Sequence, residues 1–338
     1  MAFKYGRPLG PSIFCGVLDC VHLRALGGTT QNEVRARAGF DQRLEYWCLR
    51  ALIAAMEMLP RPLARAAGVA LGWLVYLAMG RLRRVGRKNL EMAFPEMSDT
   101  QRGNILRGVY RSLGWQLAEF CRMQQYTLEK AEKFIRYEGL ENYLAARAKG
   151  KGVFVLTGHL GAWELSSFYH SLAGYPMSMV IRRLDNPLVD SYVNRIRSLH
   201  GNRVIHKDDF ARGLITAMQQ GDTVGILMDT NMTPPQGVFV PFFGVLACTA
   251  SGLARVALKS EAAVLPGFLV WESAEKRYVL HFGRELELIR LGDAAENIVA
   301  NTALFTATIE SYVRRYPDQW LWVHRRWKTR PDGEGGIY

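Results

Sequence analysis

Residues 153–168 read VFVLTGHLGAWELSSF, and this stretch decides the fold of the 338-residue chain. Val153 to Leu156 is a short β-branched and aromatic run of the kind that fills a buried strand. Gly158 and Gly161 flank His159 and let the chain turn sharply there. From Ala162 onward, Trp163, Leu165, Phe168 and Tyr169 fall near helical spacing, so His159 sits in a strand-to-helix turn and Glu164 in the first helical turn. The expectation is that the Glu164 carboxylate reaches back to one ring nitrogen and fixes the tautomer. The other nitrogen then serves as a general base, suited to taking a proton from an alcohol that attacks an acyl carbonyl.

Spacing alone carries little weight. Seven histidines and 31 acidic residues in 338 positions give about 0.6 chance occurrences of His-x4-acid, and the chain holds one. The plain alternative is a histidine satisfied by a turn carbonyl, with a solvated glutamate. The strand-to-helix context and the segments around it decide between the two.

Outward from this stretch the pattern alternates. Strands are expected at Phe134–Tyr137, Val153–Leu156, Met177–Ile181, Val204–His206, Val224–Met228, Val264–Trp271 and Tyr278–Phe282. Helices are expected at Leu140–Ala148, Ala162–Leu172, Leu188–Leu199, Asp209–Gln219, Ala250–Lys259 and Ala294–Tyr316. Such alternation predicts an α/β fold, a mixed and mainly parallel sheet flanked by helices, with its site at the carboxyl ends of strands. His159, Arg182 and Asp229 all fall at strand ends. Arg182, with Arg183 beside it in VIRRLDNP, suits an anionic headgroup through the planar guanidinium fork; a solvated charge pair is the alternative. Asp229, in ILMDTN, is placed to complete a charge network with the histidine or to organise the arginine. It is also the residue type that caps a turn. Phe239 to Gly244 (FVPFFG) is either a lining for acyl chains or core.

The amino-terminal part reads differently. Arg43–Leu59 and Leu63–Met79 are helical, and the second run carries only Arg65 as a charge. Its seventeen residues stand at the lower edge for a membrane span. Arg81, Arg83, Arg84, Arg87 and Lys88 follow directly, a cationic cluster that favours an anionic leaflet. Peripheral or shallow attachment is expected rather than a clean crossing, with residues 89–95 (NLEMAFP) leaving the helix. Ser98, Asp99 and Thr100 offer caps for a helix over Gln101–Cys121. The carboxyl-terminal WLWVHRRWKTRP (320–331) interleaves tryptophans with cations, which suits either base stacking or an interfacial belt.

Composition bounds the function. Half-apolar content excludes a disordered chain and a many-pass transporter, and a net charge of +12 points to anionic partners. Five scattered cysteines (Cys15, Cys20, Cys48, Cys121, Cys248), with no CxxC pair, argue for a reducing compartment and against a thiolate zinc site.

Taken together, GHLGAWE, VIRRLDNP, ILMDTN with PPQGVFVPFFG, and PDQWLWVHRRWK, with LPRPLARAAG and RKNLEMAFPEMS upstream, resemble the bacterial lipid A biosynthesis acyltransferases, the lauroyl- and myristoyltransferase group within the glycerolipid acyltransferase-like fold. The resemblance implies a membrane-associated enzyme at the cytoplasmic face of the inner membrane. It would move a fatty acyl group from acyl carrier protein, or acyl-CoA, to a hydroxyl of a lipid A precursor or related glycolipid. By position it implies His159 as general base, Glu164 as its partner, and Arg182 and Asp229 as substrate-site residues, with no metal and no cofactor. The organisation it implies is a poorly matched leader at 1–42, a membrane-associating helical segment at 43–90, the α/β acyltransferase domain at 91–331 and a short tail at 332–338. Two other functions stay open on the residues alone: an acyltransferase for another lipid, such as a phosphatidylinositol mannoside or a lysophospholipid, and a basic nucleic-acid-binding protein using the tryptophan-arginine tail. The acyltransferase reading calls for no nucleic-acid partner.

Overall fold

Seven strands form one sheet in the order β1-β9-β8-β2-β5-β3-β4, described in a computed structural model covering residues 39–206 and 210–338. The leader, with Cys15 and Cys20, and the start expected for a helix at Asp209 lie outside the described residues. The strands are β1 (Ile135–Glu138), β2 (Val153–Thr157), β3 (Ser178–Ile181), β4 (Arg203–His206), β5 (Thr223–Leu227), β8 (Ala263–Glu272) and β9 (Arg277–Phe282). Each expected strand is present to within a residue or two. Five neighbours, β8, β2, β5, β3 and β4, run parallel, while β9 turns back against β8 and carries β1 parallel to itself. The sheet is therefore mixed and mainly parallel. β2 and β5 are buried along nearly their whole length, as central parallel strands must be, and so read as unbroken apolar runs.

Helices cover both faces. Four stand before the sheet: α1 (Phe40–Met58), α2 (Arg61–Ala78), α3 (Gly80–Ala93) and α4 (Asp99–Arg122). The α4 start is a capping box, Ser98 accepting from the Gln101 amide while the Gln101 side chain accepts from the Ser98 amide. α5 (Leu128–Glu132) and α6 (Leu140–Ala148) lead into the sheet. The crossovers use α7 (Trp163–Leu172), α8 (Pro187–Arg197), α9 (Phe210–Gln219) and α10 (Gly252–Ser260), and α11 (Ala294–Arg315) follows the last strand.

Two expectations need correction, and one open alternative is decided. Residues 89–95 do not all leave the helix as expected: Asn89 to Ala93 continue it. Arg81 to Lys88 lie on α3, which continues to Ala93 because Val85, Gly86, Asn89, Leu90 and Ala93 supply a buried stripe at helical spacing.

The PFFG segment is a hairpin, β6 (Gly237–Phe242) and β7 (Val245–Ala250), turned through Phe243 and Gly244, both at positive φ as a two-residue hairpin turn requires. Pro241 is tolerated in this strand because a two-stranded ribbon has an outward side that needs no donor, and Pro241 stands exposed there. Phe242 and Phe243 are core residues rather than a lining.

The tryptophan-arginine tail is neither a stacking platform nor a belt: Trp320, Trp322 and Trp327 are at most 1% exposed. They pack on Phe242 and Phe243, and truncating any one of them would cost about 3–5 kcal/mol. Arg326 is fully buried among them, donating to the carbonyls of Thr230 and Cys248 and to the Thr249 hydroxyl. Burial lowers its pKa to about 10, which still leaves it charged.

One buried group makes stability depend on pH. His170, on α7, is enclosed by Tyr143, Tyr175 and Phe282, and its Nδ1 shares a hydrogen bond of 2.9 Å with the Tyr137 hydroxyl. Its Nε2 has no hydrogen-bond partner among the described residues. Burial first, and the Arg147 charge second, lower its pKa from 6.5 to about 3. Between those values the unfolded chain binds a proton that the fold refuses, so stability is complete above pH 6.5 and falls as pH drops toward 3. His170→Phe is expected to flatten the fall in Tm between pH 7 and pH 5, read by circular dichroism. An unchanged slope would assign the acid sensitivity to other groups.

Candidate active site

Adjacent parallel strands bring the two ends of the site together. Thr157 pairs with Leu227 across β2 and β5, and the Met228 amide donates to the Thr157 carbonyl at 3.1 Å. His159 and Asp229 each lie two residues beyond that pair, so the register itself sets them side by side. The His159 ring Nδ1 meets Asp229 Oδ1 at 2.8 Å, and the His159 backbone amide donates to Oδ2 at 2.6 Å. Gly158 permits this approach, since a Cβ there would stand 2.9 Å from Asp229 Oδ2. Gly161, at φ 64°, turns the chain into α7 so close to β8 that a Cβ would lie 2.0 Å from the Leu269 carbonyl oxygen.

A third donor comes from the carboxyl-terminal segment. Trp320 Nε1 donates to Asp229 Oδ2 at 2.7 Å. The same segment braces the histidine turn, with Gly161 N donating to the Gln319 carbonyl and Leu321 N to the His159 carbonyl, at 3.0 and 3.1 Å. Burial alone would raise the Asp229 pKa. The histidine's charge, its two hydrogen bonds and that from Trp320 outweigh burial and hold the carboxyl down at about 2. Asp229 is thus an ionised, fully ordered acceptor. A carboxylate on Nδ1 keeps the proton on that nitrogen and makes Nε2 the basic one.

Glu164 does not take that place. It lies in the first turn of α7 as expected, and both of its oxygens engage Arg197 of α8, Nε at 2.9 Å and Nη2 closer still. The reason is geometric: five residues past a histidine that stands before the helix, the carboxylate is carried around to the side facing α8. The Nδ1 partner of His159 comes from the neighbouring strand instead.

His159, Glu164, Arg197 and Arg182 nevertheless line one cavity of about 110 Å³. Its floor is one face of the sheet, where Val155 and Thr157 of β2 stand beside Gly225 and Leu227 of β5, with Met179 on β3 and Met177 just before it. Trp163 stands edge-on to the imidazole at 5.0 Å. Arg182 enters from the end of β3 and meets Asp185 at 3.4 Å, whereas Arg183 is exposed.

Arg197 and Trp320 are the residues that sequence reasoning missed. Arg197 was one of several cations on an expected helix. Trp320 belonged to a motif whose composition suggested a ligand surface. No spacing rule marks either one, because both meet the site through tertiary contacts 33 and 91 residues away in sequence. No cluster of three or more metal-ligating side chains occurs among the described residues.

A mainly parallel sheet with a histidine-aspartate pair at its carboxyl edge, beside an arginine-lined cavity, is an α/β enzyme architecture suited to general-base chemistry. Comparison with known proteins gives the family. The chain matches the bacterial lipid A biosynthesis acyltransferase family over residues 38–329. It is 30% identical over 281 residues to the lipid A biosynthesis palmitoleoyltransferase of Escherichia coli strain K12, covering 83% of this chain and 90% of that protein. The lauroyltransferase of the same organism is 27% identical over 86% of this chain and 94% of its own. A lipid A biosynthesis acyltransferase of Haemophilus influenzae is 30% identical over 85% and 91% respectively. The chain belongs to the bacterial lipid A biosynthesis acyltransferase family, and it is an acyltransferase.

Proposed function

We propose that the protein transfers a fatty acyl group from an acyl thioester, carried on acyl carrier protein or coenzyme A, to a hydroxyl of a lipid A precursor at the cytoplasmic face of the inner membrane. The observation that carries the chemistry is the 2.8 Å contact between His159 Nδ1 and an Asp229 carboxylate held ionised by two further donors. His159 Nε2 takes the acceptor hydroxyl's proton as its oxygen attacks the thioester carbonyl. The tetrahedral oxyanion collapses, the C–S bond breaks, and the thiolate recovers the proton from the imidazolium. The ionised Asp229 stabilises that imidazolium and orients the ring. Amides at the start of α7 or a nearby guanidinium stabilise the oxyanion.

Glu164 acts through Arg197. Its two-point grip fixes the guanidinium in the cavity wall, where with Arg182 it forms a cationic rim suited to the phosphates of the acceptor. The apolar floor suits the acyl chain. Relatives named for lauroyl, myristoyl and palmitoleoyl transfer support the acceptor class. The test is mass spectrometry of a purified reaction with acyl carrier protein charged with a saturated fatty acid. A product heavier than the lipid A precursor by one acyl group is expected, with free thiol released in equal amount. If the precursor stays unmodified while a lysophospholipid gains the acyl group, the acceptor assignment is wrong.

A further inference from the structure

The amino-terminal helices present an inverted surface. α2 carries two charges, Arg61 and Arg65, and both face inward to Glu119 of α4, at 2.6 and 3.9 Å. The Arg65 guanidinium also lies over the rings of both Trp115 and Trp271. The outward side carries none: Leu63, Ala70, Trp73, Leu74 and Leu77 fall within one arc of about 100° and are exposed, Leu77 to 69%. α1 adds an exposed apolar stripe of its own through Phe40, Leu44 and Trp47. A helix whose solvent side is its most apolar side is built for a medium other than water.

Two observations identify that medium. Immediately past Met79 the chain bends by 90° into α3, where Arg81, Arg84, Arg87 and Lys88 are exposed within an arc of about 120°. Apolar face and cationic helix are thus contiguous, which matches the acyl and headgroup layers of an anionic leaflet rather than a protein partner. The inner side of α2 is fixed: a Cβ on Gly68 would lie 2.1 Å from the Gly114 carbonyl oxygen, and one on Gly72 would lie 2.4 Å from that of Tyr110. Backbones packed that closely, with both arginines committed to Glu119, hold α2 on the body of the enzyme. By length and composition α2 and α3 pass as a span only together, across the 90° bend.

We infer that α2 lies in the plane of an anionic bilayer, its Leu63–Leu77 face immersed in one leaflet and the α3 cations at the headgroups, and that it does not cross. The inference rests on the membrane reading above and specifies its mode. It is tested with the full chain and vesicles of phosphatidylcholine containing phosphatidylglycerol as the minority lipid. In flotation, Leu74→Asp/Leu77→Asp is expected to lower partitioning by about 100-fold, and Arg84→Gln/Lys88→Gln to remove the preference for the anionic lipid.

Nitroxides at Leu63→Cys, Ala70→Cys and Leu77→Cys, with Cys15, Cys20 and Cys48 replaced by serine, are expected to report one common depth. A ramp of about 1.5 Å per residue between them would mean a crossing helix and overturn the inference. Undiminished flotation of the Asp variants, or a wild type that forms a dimer through this face and ignores vesicles, would overturn it as well. Transfer to an acceptor in mixed micelles, retained in all these variants, keeps a failure of this surface distinct from a failure of the proposed reaction.

Discussion

His159→Ala is expected to slow acyl transfer by about 10³-fold or more while leaving the protein folded and the Michaelis constant for the acceptor within a few-fold of wild type. The group removed touches the reacting proton and contributes little to the core, since its ring borders a cavity. Asp229 would keep two of its three donors, the backbone amide at 159 and Trp320 Nε1, so the buried carboxylate stays paired. That distinguishes this substitution from one that strands a charge, which would cost several kcal/mol and unfold the site. The measurement is single-turnover transfer by the purified variant, with circular dichroism as the control for folding. Wild-type turnover would remove His159 from the chemistry. The Glu164→Gln variant is expected to behave differently: a raised Michaelis constant for the phosphorylated acceptor with the pH profile of kcat unmoved, because Glu164 bonds Arg197 rather than Nδ1.

How much of this was legible from the sequence follows from the range of the contacts involved. β2, the glycine turn and α7 are local: strand, breaker and helical periodicity lie within sixteen residues, and the chain folds there as its pattern reads. The order and alternation of the seven strands were equally visible, because buried parallel strands are apolar runs with few alternatives. What could not be read was which strand neighbours which. The partner of His159 depends on β5 lying beside β2 in a register that pairs Thr157 with Leu227, and sequence spacing carries no record of that pairing. Glu164 was the nearest acid in sequence, and Asp229 is the nearer one in space.

The tail failed for a related reason. Tryptophan beside arginine has the same composition at a ligand surface as in a core, and only the packing of Phe242 against Trp320 and Trp327 tells the two apart. The last turns of α3 were misread because an asparagine in a short run ending at Pro95 reads locally as a breaker, whereas Asn89 is buried and donates to the carbonyls of Trp322 and His324, partners that no local pattern records.

Asp229→Asn is expected to lower kcat by about 10³- to 10⁴-fold with little change in stability, by a route the hydrogen bonds specify. Asp229 accepts three donors, two on Oδ2 from His159 N and Trp320 Nε1, and one on Oδ1 from the imidazole. An asparagine has one acceptor oxygen to offer, and the two fixed donors, one backbone and one indole, claim it. The amide nitrogen then faces Nδ1, which must become an acceptor, so the ring proton moves to Nε2. The histidine keeps its place and loses its basic nitrogen on the side where the acceptor hydroxyl would stand. It also loses the negative charge that stabilises the imidazolium. The substitution is isosteric and removes a buried charge that is held ionised only by these donors, so the melting temperature at neutral pH should shift by a few degrees at most. Because the carboxyl's folded pKa of about 2 lies below its ordinary 3.8, the stability that ionisation contributes is complete above pH 3.8 and lost as pH falls toward 2. Wild type should therefore lose stability relative to Asp229→Asn as pH falls from 3.8 toward 2, while the two differ in kcat at every pH above it. Trp320→Phe, which removes one donor and leaves the charge, should cost only about tenfold and move the alkaline or acid limb of the kcat profile, as a positioning residue would. Equal losses in Asp229→Asn and Trp320→Phe would mean that the pair serves the fold alone, and the base assigned to His159 would have to be sought elsewhere in the cavity.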